Sequence, residues 1–129
     1  MTRYNYSSGA PWEQIVGYSR AVKVGNTIEV TGTVALNELN QVVGINDPYL
    51  QTKFILEKIA AVLEQAGATM KDVVRTRLFV TDISKWEEYG RAHGEVFANI
   101  RPCTTMVEIN ALISPEYLIE IEATAILIH

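Results

Sequence analysis

The stretch LIEIEATAILI, residues 118 to 128, alternates so strictly that it reads as a strand with one dry face. Successive side chains of a strand point to opposite sides, so Ile119, Ile121, Ala123, Ala125 and Leu127 fall together, with Leu118, Glu120, Glu122 and Thr124 against them. A chain carrying such a strand must build a sheet that packs apolar elements on one face and leaves carboxylates and hydroxyls on the other.

The rest of the chain supplies partners for that sheet. AVKV, residues 21 to 24, and TIEVTGTVA, residues 27 to 35, are separated by Gly25-Asn26, a pair suited to a tight hairpin. Asp47-Pro48 then reads as an N-cap followed by proline at the first helical position. The apolar face of Leu50, Phe54, Ile55, Ile59, Val62 and Leu63 predicts a helix from about residue 48 to 66, closed by Gly67. VVRTRLFVT, residues 73 to 81, is a further strand. Ser84-x-x-Glu87 has the form of a capping box, and after it Trp86, Tyr89, His93, Val96, Phe97 and Ile100 share one helical face. CTTMVEI, from residue 103, and the terminal strand are joined by NALISPEY and fit a hairpin-like pair. The predicted order is ββαβαββ: an α+β single domain over residues 1 to 129, with a mixed sheet and two helices on one face.

The other sheet face is expected to carry Glu29, Thr31, Thr33, Arg75, Arg77 and Phe79 and, if Val107 and Ile109 point inward, Thr104, Met106 and Glu108. Phe79, Met106 and Leu118 interspersed among charges suggest burial against a second copy of the chain. Arg75 and Arg77 are placed to pair with Glu108, Glu120 or Glu122, so these carboxylates read either as cross-strand ion pairs or as acid and base groups.

Composition narrows the function. A net charge of -4 disfavours nucleic acid as a partner, because such binding rests on clustered lysines and arginines. The single cysteine, Cys103, rules out an internal disulfide, and no apolar run approaches the roughly 20 residues that cross a bilayer, so a cytoplasmic protein without a membrane role is expected. There is no Cys-x-x-Cys, His-Glu-x-x-His, phosphate loop or dinucleotide fingerprint, and two histidines, His93 and His129, do not make a metal site in one chain. Gly17-Tyr18-Ser19-Arg20-Ala21 only partly matches a nucleophile elbow: its last position is not glycine, and a strand follows where that motif needs a helix. His93 reads as a core or subunit-contact histidine or as a base, and Cys103 as small apolar filling.

Taken in order, several segments resemble the Rid family, also called the YjgF family of reactive-intermediate deaminases. They are Gly17-Tyr18-Ser19 with Ala21-Val22, then Gly25-Asn26, Thr31-Gly32 and Gln65-Ala66-Gly67, followed by a proline-led turn before Val107-Glu108-Ile109, and Ile119-Glu120-Ile121-Glu122-Ala123. The resemblance implies a chorismate-mutase-like subunit that assembles as a homotrimer with small-molecule clefts between subunits. Enzymes of this family hydrolyse enamines and imines to a keto acid and ammonia without a cofactor of their own.

The resemblance also implies site residues. Glu120 matches the glutamate that handles water and protons, Tyr18 the N-terminal tyrosine, and Thr31 a position where serine is common. The family's arginine, which clamps a substrate carboxylate through its planar fork, falls on Thr104 in Pro102-Cys103-Thr104-Thr105. Gly90 stands where an asparagine is usual. The chain is thus similar to the subgroups that lack the arginine, with Thr104, Tyr18, Thr31, Arg101 and His93 as substrate-binding candidates and Glu120 as the catalytic one. Arg101 lies three positions before Thr104, about 10 Å away on an extended strand and on its opposite side, and can replace the missing guanidinium only if Pro102 redirects it. Hydrolysis of a small imine or enamine is the expected function, with a trimer that binds or senses a metabolite without turnover as the alternative. Ribonuclease activity, reported for some relatives, is disfavoured by the negative charge.

Overall fold

The computed structural model describes residues 1–128, and His129 lies outside the described residues. Six strands form one sheet in the order β1-β2-β3-β6-β4-β5: β1 is Arg3–Tyr6, β2 Ala21–Val24, β3 Thr27–Thr33, β4 Val73–Val80, β5 Cys103–Glu108 and β6 Ile119–Ile126. The helices are α1 at Pro11–Val16, α2 at Pro48–Gln65 and α3 at Trp86–Phe97. The α+β class is as expected, but the order ββαβαββ lacks the first strand and the first short helix. The terminal strands also do not form a hairpin. β6 inserts between β3 and β4, antiparallel to both, whereas β5 runs parallel to β4 at the sheet edge.

Strand β6, with its strict alternation, sits in the middle of this sheet, and Ile119, Ile121, Ala123 and Ala125 are buried on the side covered by α2, against which α3 packs. Ile55, Leu56, Ile59 and Leu63 of α2 complete that core together with Ile28 and Leu78. Helix α2 starts as predicted: the Asp47 side chain accepts from the Leu50 N–H at 2.9 Å, and Pro48 occupies the first turn. Helix α3 does not use the predicted capping box. Asp82 instead caps a one-turn 3₁₀ helix, Ile83–Lys85, accepting from the Ser84 N–H and hydroxyl, and α3 begins after it. Trp86, assigned to the apolar stripe, is 56% exposed because it stands at the very start of the helix, ahead of the buried Tyr89, Ala92 and Phe97.

Two strands carry their side chains on sides the alternation did not predict. In β3 the pairing with β6 shifts between Val30 and Thr33, so Thr31 stays on the open face while Thr33 turns inward and is buried. In β5 the parallel register sets Thr104 beside Thr76, and Thr76, Leu78 and Val80 are the buried, helix-side residues of β4. Thr104, Met106 and Glu108 therefore face the helices, and Cys103, Thr105 and Val107 share the open face with Arg75, Arg77 and Phe79. The expected arginine pairs change accordingly. Arg75 donates to the Thr105 hydroxyl at 3.0 Å and Glu108 accepts from the Ile83 N–H, leaving Arg77 and Glu122 at 3.7 Å as the open-face ion pair among the described residues.

Candidate functional site

The sequence-predicted residues separate into two polar groups on opposite sides of the sheet. The first gathers Tyr18, Arg20, Thr31 and Glu120 around the β3 bulge. Gly32 is what lets Glu120 lie there: a Cβ on Gly32 would come within 2.8 Å of the Glu120 carboxyl carbon, so the carboxyl packs directly over bare backbone. Burial raises the Glu120 pKa above the ordinary carboxylate value, Glu122 raises it further, and the Arg20 guanidinium pulls it back. A carboxyl under opposing influences of this kind exchanges protons more readily near neutrality than an exposed glutamate does.

Arg20 is not among the residues that sequence reasoning singles out, since it falls inside a pattern rejected as a nucleophile elbow. It enters β2 half-buried, donates from Nη2 to the Gly32 carbonyl at 3.1 Å, and lies over the Tyr18 ring at 5.9 Å. Its Nε is buried without a partner among the described residues. Burial lowers its pKa from a very high starting point, and Tyr18, Glu13 and Glu120 counteract this, so it remains a cation. No sequence signal singles it out, because the sequence does not show that residue 20 lies beside residue 120.

Next to this group lies an open cleft of about 660 Å³, which Tyr18 and Thr31 line together with Glu13, Gln14, Glu29 and Arg77. Glu120 and Arg20 are not in its wall; they stand just beyond it, past Thr31. The position of Glu13 and Gln14 in this cleft shows that α1 lies over the open face, unlike α2 and α3.

The second group stands on the helix side, at the β4–β5 edge. His93 Nε2 and the Thr76 hydroxyl are 2.9 Å apart, the Thr76 and Thr104 hydroxyls 2.7 Å, and Thr104 and His93 3.4 Å. Thr76, which the sequence did not single out, is fully buried and links the other two. Burial lowers the pKa of His93, which keeps the ring neutral at pH 7. Thr104 and His93 therefore come together, but away from Glu120, Tyr18 and Thr31.

Arg101 joins neither group. It closes α3 with a left-handed backbone, φ 59°, its N–H bonded to the Phe97 carbonyl, and its side chain is exposed. The guanidinium makes no hydrogen bond or ion pair among the described residues.

The sequence pattern of the family described as Endoribonuclease L-PSP matches residues 9–127. An uncharacterized protein of Streptomyces coelicolor is 34% identical over 118 residues, covering 92% of this chain and 87% of that protein. The 3-aminoacrylate deaminase RutC of Acinetobacter baylyi is 34% identical over 108 residues, 84% of this chain and 85% of its own length. Among solved structures, a Mycobacterium tuberculosis member of the YjgF/YER057c/UK114 family superposes with a TM-score of 0.88 at 48% identity, covering 98% of this chain and 100% of that one.

Proposed function

This chain belongs to the YjgF/Rid family, and we propose that it hydrolyses a small imine, enamine or related carbonyl compound to a keto compound and ammonia. The observation that carries the proposal is the Glu120 carboxyl, held over Gly32 with its proton affinity raised by burial and opposed by Arg20. In its protonated form Glu120 gives a proton to the β-carbon of an enamine, which leaves an iminium. As a carboxylate it then orients water toward the iminium carbon, and ammonia departs as the carbonyl forms. Tyr18 and Thr31 offer hydroxyls to the ligand, and Arg20 offers a guanidinium to its anionic end. The name of the Acinetobacter relative supports an aminoacrylate-like substrate.

The reaction is expected in a homotrimer, where the open face of one copy meets the β4–β5 edge of the next and the two polar groups combine. The exposed Val107 and half-buried Phe79 on that face support its burial between copies. Incubation with freshly generated 2-aminoacrylate, followed by assay of ammonia and keto acid, tests the activity directly. Glu120→Gln keeps the shape but cannot donate or accept the proton in the same way, and is expected to release ammonia no faster than buffer.

A second reading, a trimer that binds a metabolite without turning it over, is favoured by Thr104, which stands in a neutral cluster where the family's deaminases place a charged fork. A thermal-shift screen of small carboxylates, keto acids and amino acids separates the two, because a ligand specific for the folded state raises apparent stability even where no product forms. RNA cleavage, the activity named in the family description, has less support: the net charge is -4, and His93 has no second histidine beside it among the described residues.

A further inference from the structure

We propose that Thr104, Thr76 and His93 form a charge-free hydrogen-bond relay that recognises an uncharged polar group of a small ligand, a carboxamide or a carbonyl, at the exposed hydroxyl of Thr104. Thr76 is the centre of the relay. Its side chain is fully buried in a strand whose other helix-side positions are Leu78 and Val80, so its hydroxyl must be satisfied locally. It has two partners, His93 at 2.9 Å and Thr104 at 2.7 Å, but only one proton to give. The polarity of the whole row is therefore fixed by which nitrogen of His93 carries the ring proton.

With Nε2 bare, Thr76 donates to His93, Thr104 donates to Thr76, and the outward lone pairs of Thr104 are free to accept. With the proton on Nε2, His93 donates to Thr76, Thr76 donates to Thr104, and the Thr104 proton points outward. Both arrangements are neutral. They differ by rotation of two hydroxyls and a shift of one ring proton between Nδ1 and Nε2. Burial favours the uncharged ring that permits both, and Phe97, 4.5 Å from the imidazole, gives it an apolar neighbour.

Three charged or ionisable side chains of this edge are directed elsewhere. Arg75 is engaged with Thr105 on the opposite face, Cys103 shares that face, and Glu108 caps the backbone at Ile83. Within its own hydrogen-bonded row Thr104 offers a carboxylate one neutral donor, with no charged partner among the contacts of that row. An amide N–H finds an acceptor and a carbonyl finds a donor, each supplied by the same residue. All of these contacts lie within one chain, and none of them depends on deamination.

The chain has two histidines, so the protein labelled with ¹⁵N-histidine gives only two imidazoles to follow by NMR. Acetamide is expected to shift the His93 Nε2 resonance, while acetate at the same concentration and pH leaves it in place. Thr76→Val is expected to abolish the acetamide response and Thr76→Ser to retain it. Should the valine variant not fold, Thr104→Val makes the same cut at an exposed position. The proposal is overturned if acetate moves the resonance as far as acetamide does, if acetamide does not move it in the unsubstituted protein, or if the response persists in folded Thr76→Val.

Discussion

Gly32 and Glu120 are packed so closely that a Cβ on Gly32 would stand 2.8 Å from the Glu120 carboxyl carbon. The Gly32→Ala methyl would meet the far end of a flexible side chain rather than backbone, so Glu120 swings away and the fold persists. Gly32→Ala is thus expected to keep its circular dichroism spectrum and lose most ammonia release, by tenfold or more, the equivalent of about 1.4 kcal/mol of transition-state stabilisation. Glu120 also couples to stability. Its folded pKa is raised above the unfolded one, chiefly by burial, so its contribution is full below the unfolded carboxylate value and is lost as pH rises through the folded value. Glu120→Gln mimics the protonated form at every pH. Thermal melts should therefore show variant and parent alike near about pH 4, with the variant gaining relative stability toward neutrality. A residue that improves stability when removed and activity when present is expected at a working site.

Among the elements, α2 was the most legible and β5 the least. Asp47 and Pro48 mark the start of α2 chemically, and its long apolar stripe leaves no choice of buried face. Asp47→Ala removes the acceptor for the Leu50 N–H and should destabilise the protein by about 1 kcal/mol, a fall of about 4 °C in melting temperature. Strand β5 gives no such guidance: it is a sheet edge, with Met106 on one parity and Val107 and Ile109 on the other, so alternation supports either orientation. What decides is the parallel register with β4, together with the need of buried Thr76 for a hydroxyl partner, and neither is local information. The inward turn of Thr33 escaped for a related reason, since a bulge breaks the period that sequence reading relies on. Strand β1, RYNY, is almost wholly exposed and has no apolar face to detect. Helix α1 is too short for periodicity, yet its boundaries were written in the chain. Pro11 stands just inside its start and Gly17, left-handed at φ 87°, just past its end.

For the whole molecule, the arrangement of the two polar groups matters most. Glu120, Arg20, Thr31 and Tyr18 lie on the open face or at its bulge, and Thr104, Thr76 and His93 lie on the helix side, so one copy cannot bring them to a common ligand. The residues of the Glu120 group other than Arg20 were named through family resemblance, but their separation from Thr104 was not legible, because it depends on the packing of whole strands. The proposed trimer would resolve the separation, and light scattering on the purified protein is expected to give three times the 14.4 kDa chain mass. A monomer would leave the proposed cleft without its second wall. Release of ammonia and keto acid from freshly generated 2-aminoacrylate is the most direct test of the proposed chemistry. The parent protein should accelerate it well above buffer and Glu120→Gln should not; a parent rate equal to buffer, or a Glu120→Gln rate equal to the parent, would contradict the assignment.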